Sequence, residues 1–316
     1  MGHWIQSHRD LTCVLLGTFF GLAARLLMLR SDYRQYPAHP HGLIVNLALG
    51  MIAGALGSVA VPALYHNNYT AITFLSLAAQ QFREVRNMER NTLTAIDKQE
   101  LVPRGAAYIE GMAVVFEGRN YLAIFTALVT SLAAMAAVWW IGVIVGAFAL
   151  GCALFFMRGK NIGRVAEVEQ APIRLDGPNV YVGGIYMMNV GLAPDRETIA
   201  ERGVGLLITP KNGNSRVTLA NLGQRQAILY DLSTRFGVYR DDGEPTLIPL
   251  AKLSLETGQL AVLALPRERE PELAVEAVRN VPLLESAVRL PVPANRKQLN
   301  GGSHGENRSR RNAEQG

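Results

Sequence analysis

The sequence predicts an α-helical membrane domain of about four transmembrane helices, followed by a small cytoplasmic α/β or α+β domain. Hydrophobic residues make up 49% of the 316 residues and charged residues only 18%, whereas soluble domains carry about a quarter charged residues. Long apolar runs are confined to the chain before Arg158. After Arg164 the pattern changes to short alternating or periodic segments. This distribution excludes a simple cytosolic enzyme.

The predicted membrane domain, residues 1–157, contains four apolar runs. Each approaches the roughly 20 residues that a helix needs to cross a hydrocarbon core. They are Leu11–Leu29, Leu43–Leu64, Tyr121–Trp139 and Trp140–Met157. We expect the last two runs to form a hairpin with Trp139 and Trp140 at the lipid interface, which tryptophan favours. Arg25 lies near the end of the first run, and we expect its side chain to snorkel to the headgroups.

Lys and Arg are concentrated between the second and third runs and after the fourth. The positive-inside rule places these segments in the cytoplasm. With four crossings, the chain is then a multi-pass protein of the cell membrane with both termini cytoplasmic. The segment Arg30–Gly42 would lie on the opposite side, and its Arg30 and Arg34 conflict with the rule.

Three of the runs contain a G-x-x-x-G pair, a spacing that lets membrane helices pack closely. The pairs are Gly17 and Gly21, Gly50 and Gly54, and Gly142 and Gly146. They favour packing within the chain and leave a homo-oligomer open.

A long amphipathic connector helix is predicted over 69–102. Its apolar residues recur mostly at spacings of three and four, and Pro103 ends it. The helix becomes charged after Gln81, and its charges are of both signs. The pattern leaves open whether it projects into the cytoplasm, lies on the membrane or packs on the C-terminal domain.

The segment 105–118 that follows is apolar and too short to span a bilayer. It could be re-entrant, interfacial or an extension of the third span. Glu110 and Glu117 lie seven residues apart and therefore share a face if the segment is helical. A carboxylate beside a membrane is costly unless it is paired or hydrated. Glu110 is thus a candidate for a partner contact, an ion site or a proton-handling acid, and the alternative is a hydrated glutamate.

The hexapeptide 108–113, Tyr-Ile-Glu-Gly-Met-Ala, resembles the sequence that names the YIEGIA family of multi-pass membrane proteins from endospore-forming Firmicutes. Only Met112 departs from it, in place of isoleucine. The stretches 206–212 and 217–227 are also similar to the family. The resemblance implies a sporulation-associated protein with a small capping-type partner protein, and alternatively a proteolytic role. It assigns no catalytic residue. The motif and partner-binding candidates are Tyr108, Ile109, Glu110, Gly111 and Glu117.

The cytoplasmic domain is predicted over 165–290, and a disordered basic tail over 291–316. We expect a strand at Asn179–Tyr186 with a bulge at Gly183-Gly184, a short helix from Pro194 to Gly203, strands at Gly205–Thr209 and Arg216–Ala220, a helix at Gly223–Phe236, a turn at Asp241–Gly243, a strand at Gln259–Leu265, and a helix at Glu272–Arg289 broken near Pro282. The expected core residues are Val182, Leu207, Ile208, Leu219, Leu229, Leu260 and Val262.

Catalytic signatures such as G-x-S-x-G, H-E-x-x-H and the P-loop do not occur in the sequence. Tyr230-Asp231 is similar to the pair in membrane aspartyl proteases but lies on a soluble helix without a second motif. We predict no cofactor and no metal. The net charge of +5 comes largely from the tail, so nucleic-acid binding is not expected. A membrane scaffold or regulator that acts through partner binding fits best. A membrane-embedded or membrane-anchored protease, controlled by a small capping partner, is the alternative, so enzymatic activity is left open.

Overall fold

The computed structural model describes residues 8–32, 40–156, 160–239 and 247–288. The predicted turn at 241–243 and the predicted tail at 291–316 lie outside the described residues. The helices of the first half are α1 (Arg9–Asp32), α2 (Pro40–Tyr65), α3 (Tyr69–Arg83), α4 (Val85–Asp97), α5 (Ala106–Ala136) and α6 (Trp139–Phe156).

In the described part of the chain, three helices are long and apolar enough to cross a membrane. They are Arg9–Leu29, Gly42–Tyr65 and Ala106–Ala136. The fourth predicted run forms a shorter apolar helix, Trp139–Phe155. It follows α5 through a tight turn, so the predicted hairpin is confirmed.

Glycine allows these helices to pack closely. A Cβ atom added at Gly54 would lie 2.8 Å from the Thr18 carbonyl oxygen, and one added at Gly142 would lie 2.6 Å from the Ala134 Cβ. Both distances are shorter than ordinary contacts, so larger residues would force the helices apart. All three G-x-x-x-G pairs lie at such contacts within the chain: Gly17, Gly21, Gly50, Gly54, Gly142 and Gly146.

The helices α1 and α5 run antiparallel, which gives the bundle two distinct ends. At one end, here called the far end, the Arg9 guanidinium donates to the carbonyl oxygens of Met135 and, over 3.3 Å, Ala137. At the other end, here called the domain end, the Arg25 guanidinium stacks on the ring of Phe116. The sheet domain adjoins the domain end, so α1 begins at the end of the bundle remote from it.

The amphipathic connector consists of two helices rather than one. A tight turn at Glu84, whose N–H donates to the Gln81 carbonyl oxygen over 3.1 Å, separates α3 from α4. The second helix ends at Asp97, whose carboxylate accepts the N–H groups of Arg104 (2.6 Å) and Gly105 (3.1 Å). The helix thus ends before the predicted end at 102, and these bonds fold the following loop back onto its last residue.

The segment 105–118 is the first part of α5, which continues without a break to Ala136. It is therefore an extension of the third span. At 1.5 Å per residue the 31-residue helix is about 46 Å long, which exceeds a hydrocarbon core of about 30 Å. The first half of α5 is thus available to contact the sheet-containing region of the chain.

The second half of the chain forms two antiparallel sheets and several helices. The elements are α7 (Ile162–Val165), β1 (Ala166–Gln170), β2 (Ile173–Asp176), β3 (Asn179–Val182), β4 (Ile185–Asn189), α8 (Ala193–Arg202), β5 (Val204–Pro210), α9 (Gly213–Ala220), α10 (Leu222–Phe236), β6 (Leu250–Leu253), β7 (Leu260–Ala264), α11 (Pro271–Asn280) and a 3₁₀ helix (Glu285–Ala287).

The strand order is β1-β5-β7-β6 in one sheet and β2-β3-β4 in the other. All pairs are antiparallel, which makes the region α+β. Alternate residues of β5 and β7 face opposite sides. Leu206 and Val262 pack with the helices, and Leu207 and Leu263 pack with the smaller sheet. The seven expected core residues are buried or packed against these clusters.

Two predicted strands were wrong in detail. The strand Asn179–Tyr186 is a hairpin, because Gly183 and Gly184 adopt φ of +56° and +83° and turn the chain between β3 and β4. The predicted strand at 216–220 is part of helix α9. The Asn212 side chain accepts the Ser215 N–H over 2.9 Å and caps that helix, so the Asn-Gly pair starts a helix instead of a hairpin.

Three strands, β1, β2 and β6, were not predicted, and the C-terminal helix ends at Asn280. The predicted helices from Pro194 and at Gly223–Phe236 are confirmed, as is the strand at Gln259–Leu265.

The core of the soluble domain includes side chains from the first half of the chain. Leu93, Tyr108, Ile109 and Met112 belong to the same buried cluster as the inner residues of β5 and β7. Burying such a side chain contributes about 1.5–3 kcal/mol. The independence of the domain predicted from 165 onward stays a prediction, and this cluster determines how to test it.

We expect a fragment spanning 160–288 to unfold at a lower temperature alone than with a peptide spanning 85–118, because the peptide supplies the missing core residues. The fragment starts at Lys160, whose carbonyl oxygen accepts the Leu283 N–H over 2.8 Å. Thermal unfolding followed by circular dichroism measures the difference. A peptide with Ile109→Ser and Met112→Ser is the matched control. Identical melting temperatures with and without the unmodified peptide would contradict the expectation.

Candidate functional site

The hexapeptide lies where α5 enters the soluble domain. Tyr108 and Ile109 are 4% and 2% exposed, and Met112 is fully buried. The three residues follow the helical period and form one face of α5. The Tyr108 ring contacts the Tyr230 ring edge-on, with the centroids 6.4 Å apart. One face of the motif is thus part of the core.

Glycine lets α5 and α10 come into close contact. A Cβ atom added at Gly223 would lie 2.7 Å from the Ala107 carbonyl oxygen. At Gly105, whose φ is +80°, an added Cβ would collide with the Gln226 side chain. The same Gln226 accepts the Tyr108 N–H over 3.3 Å. The two stretches that resemble the family, 108–113 and 217–227, therefore pack against each other.

Gly111 faces the 3₁₀ helix at the end of the described chain. A Cβ atom there would lie 3.1 Å from Ser286 Oγ and 3.3 Å from Leu284 Cδ1. Gln224 holds this segment in place. Its side chain is fully buried, donates to the Pro282 carbonyl oxygen (3.2 Å) and accepts the Leu284 N–H (2.8 Å). The sequence analysis missed Gln224, although its position in the family-like stretch could have identified it.

The two acidic candidates occupy another face of α5, as their spacing predicted. Arg86 of α4 forms ion pairs with both, contacting Glu110 through Nη2 and Glu117 through Nη1 at 3.4 Å. Arg90 Nη1 lies 3.8 Å from Glu110. The hydrogen bond to Glu110 raises the pKa of the Arg86 guanidinium. About a third of each of these side chains stays exposed, so the pairs are neither buried nor fully hydrated.

A second arginine fastens the loop between α4 and α5 to the domain. Arg104 is 2% exposed, and its guanidinium stacks 4.2 Å from the Tyr230 ring centroid. It also donates to the Tyr230 hydroxyl (2.5 Å) and to Glu100 (3.3 Å), and lies 4.0 Å from Asp97. Burial raises the pKa of the Tyr230 phenol, and the Arg104 charge opposes this. The loop is anchored at a position that the sequence analysis did not identify.

The snorkelling predicted for Arg25 is wrong. Its side chain is fully buried, lies 4.8 Å from the Phe116 ring centroid and donates to Asn46 Oδ1. Packing between α1, α2 and α5 encloses it inside the bundle. Burial also raises the pKa of the Glu89 carboxyl on α4, and the positive charge of Arg25 opposes that rise.

Of the five candidates, Tyr108, Ile109 and Gly111 face the chain's own domain, whereas Glu110 and Glu117 reach its surface. Asp231 is partly buried, pairs with Arg235 over 2.9 Å and has a raised pKa because of burial. Within the described residues, no group of three or more His, Cys, Asp and Glu could hold a metal ion. The arrangement is suited to holding the helical bundle and the sheet domain rigidly together. It is also suited to charged contacts at the edge of α5 that carries Glu110 and Glu117.

Gly223→Ala should lower the stability of the protein by about 1–3 kcal/mol, because the new methyl group overpacks against the Ala107 carbonyl. Gly213→Ala is the matched control. It also lies at the start of a helix, but nothing lies within 4 Å of its added Cβ, and we expect a change within about 0.5 kcal/mol. Thermal unfolding in detergent measures both. Equal effects at the two positions would show that α5 and α10 are not in close contact.

The chain is similar to known proteins over most of its length. The family model described as "YIEGIA protein" matches residues 13–294. An uncharacterized protein of Bacillus subtilis (strain 168), YphB, is 51% identical over 278 residues, which cover 88% of this chain and 94% of that protein. No solved structure matches the chain. With the family model matching nearly the whole chain and a relative more than half identical, the protein belongs to the YIEGIA family.

Proposed function

We propose that the protein is a multi-pass membrane scaffold or regulator of sporulation, which acts by binding a partner protein. One observation carries this proposal. Helix α5 runs from the apolar bundle into the core of the sheet domain without a break. A partner bound to the domain would be held at a defined position relative to the membrane.

The charge distribution supports placing the bundle in a bilayer. No charged residue occurs between Arg119 and Arg158 or between Asp10 and Arg25. The stretch of α5 from Arg119 to Ala136 is about 26 Å long at 1.5 Å per residue, close to a hydrocarbon core of about 30 Å. Lys and Arg are concentrated towards the domain, which favours the cytoplasm for that side.

Family membership supports the role in sporulation and the small capping-type partner. The relative from Bacillus subtilis is itself uncharacterized, so neither role comes from it. We place the partner contact at the exposed edge of the motif. Glu110 and Glu117 there face Arg86 and Arg90, and mixed charges favour a specific polar contact over a lipid surface.

A membrane protease controlled by a small cap is the second candidate. It would use Glu110 as an acid or base. Glu110 is engaged in ion pairs with Arg86 and Arg90, which suits binding better than proton transfer. The two functions can be distinguished by looking for truncated substrate proteins in sporulating cells, because only a protease produces them.

Glu110→Gln should abolish sporulation function and partner co-purification while leaving the protein level nearly unchanged. The substitution removes the charge and keeps the shape. The loss in stability should be small, because exposed ion pairs contribute about 0.2–1 kcal/mol. Spore yield, immunoblotting and affinity purification from sporulating cells measure the three quantities. Glu256→Gln, at an exposed position in the turn before β7, is the control and should behave as wild type.

A charge swap tests whether the function depends on the carboxylate at position 110 or on the ion pair as such. In Glu110→Arg with Arg86→Glu, the pair is restored but the acid has moved to α4. Continued loss of function would assign the role to the carboxylate at 110, and recovery would assign it to the pair. Wild-type spore yield and partner binding in Glu110→Gln would reduce the motif to a packing element. Truncated products that disappear in Glu110→Gln would favour the protease.

A further inference from the structure

We propose that α3 crosses the bilayer with one face against lipid acyl chains. The chain then crosses five times, and its N-terminus lies on the side of the membrane opposite the sheet domain. This inference rests on the proposed placement of the bundle in a membrane. It concerns a helix that is too short and too polar to count among the long apolar helices.

The path of α3 leads from one end of the bundle to the other. It begins beside the end of α2 at the far end, where the Asn68 N–H donates to the Ala63 carbonyl oxygen over 2.9 Å. Near its other end, Phe82 is buried in a cluster with Ala53 and Phe116. From residue 69 to 82 the helix rises about 20 Å, and α2 covers about 18 Å between residues 53 and 65. Helix α3 therefore returns antiparallel to α2.

The charged residues of the bundle lie at two levels. The far end carries Arg9, Asp10 and His66, with His66 Nε2 2.8 Å from an Asp10 carboxylate oxygen. At the domain end the charges begin with Arg25 and Arg83. The residues between these levels are uncharged in α1, and 67–82 are uncharged as well. Helix α3 thus spans the same charge-free layer as the apolar helices.

Two hydroxyl groups in the middle of α3 are satisfied inside the helix. The Thr73 hydroxyl donates to the Tyr69 carbonyl oxygen and the Ser76 hydroxyl to the Ile72 carbonyl oxygen, each over 2.9 Å. Such bonds remove most of the cost of placing a hydroxyl in hydrocarbon. The low average hydropathy of the helix is therefore compatible with a lipid environment.

The outer face of α3 carries large apolar side chains beside small hydroxyl groups. Tyr69, Phe74 and Leu77 are 77%, 71% and 57% exposed. Large apolar side chains are comparably exposed on α2, the helix beside α3, for example Ile52 and Leu64. In lipid this surface is continuous with the exposed apolar surface of the bundle, and exposing it costs no free energy. In water it would form an unusually large apolar patch. The charge-free layer commits the face to acyl chains rather than to a soluble partner.

The five-crossing topology also removes the conflict in the charge distribution. The segment with Arg30 and Arg34 joins the end of α1 to the start of α2, and both helix ends lie at the domain end. Those charges then fall on the same side as the other Lys and Arg residues. Up to residue 160, Arg9 is the basic residue left on the far side, and it is adjacent to Asp10. The positive-inside rule is satisfied better than by four crossings.

Cysteine labelling tests the topology. Single cysteines at His8, Asn67, Val138 and Asn214 are introduced into a full-length variant lacking Cys13 and Cys152. They are exposed to a membrane-impermeant maleimide before and after lysis. We expect positions 8, 67 and 138 to label in intact cells and position 214 to label only after lysis. If position 8 or position 67 labels only after lysis, as position 214 does, the five-crossing topology is overturned.

A nitroxide scan tests the lipid contact. Phe74 and Met88 are both exposed apolar residues of the connector, but Met88 lies in α4, beyond the charged level. In liposomes, a label at 74 should collide with oxygen and not with a water-soluble nickel complex, and a label at 88 should show the reverse. Nickel access at 74 would place α3 in water. Protection of 74 from both reagents would assign the face to a protein partner or a second copy.

These outcomes are independent of the proposed function. Neither label replaces Glu110 or the residues that contact it, so failure of the topology leaves the spore-yield and co-purification results interpretable. Conversely, a Glu110→Gln variant with wild-type behaviour would leave the labelling pattern unaffected.

Discussion

The insertion of one helix into two cores is the interaction on which the rest of the structure depends. Helix α5 packs with α1 and α2 along its second half and contributes Tyr108, Ile109 and Met112 to the soluble core along its first half. One helix can pack in both cores only if its rotation about its axis turns an apolar face towards the bundle and another towards the core of the sheet domain. That requirement fixes the motif, 108–113, within the same helix as the apolar stretch that follows it.

Close backbone contacts at glycine residues then set the packing around α5. Gly223 brings α10 against the backbone at Ala107, and Gly111 admits the 3₁₀ helix. Gln224 replaces the missing backbone hydrogen bonds of that segment with its own side-chain amide. Because protein interiors are close-packed, small changes at these contacts are transmitted between bundle and domain. The family motif is therefore a structural joint with a charged edge, and that edge remains partly exposed.

Buried arginines show how strongly the surroundings decide the role of a charge. Arg25 and Arg104 are 0% and 2% exposed, and each is stacked on an aromatic ring and hydrogen-bonded. Removing a charge from water is costly unless such partners repay the cost. Arg86 and Arg90 are 38% and 47% exposed and pair with acids. All four residues lie at or near the domain end of the bundle, so this end is held by polar interactions as well as by packing.

The sequence by itself determined the division into an apolar helical half and a sheet-containing half, the shared face of Glu110 and Glu117, and most of the core, because hydrophobic periodicity is a local property. Tertiary structure alone decided the rest. Arg25 became buried because α1, α2 and α5 enclose it. The path of α3 and the partners of Glu110 depend on which distant helices meet. Such contacts leave no local period in the chain, so no pattern of spacing could have predicted them.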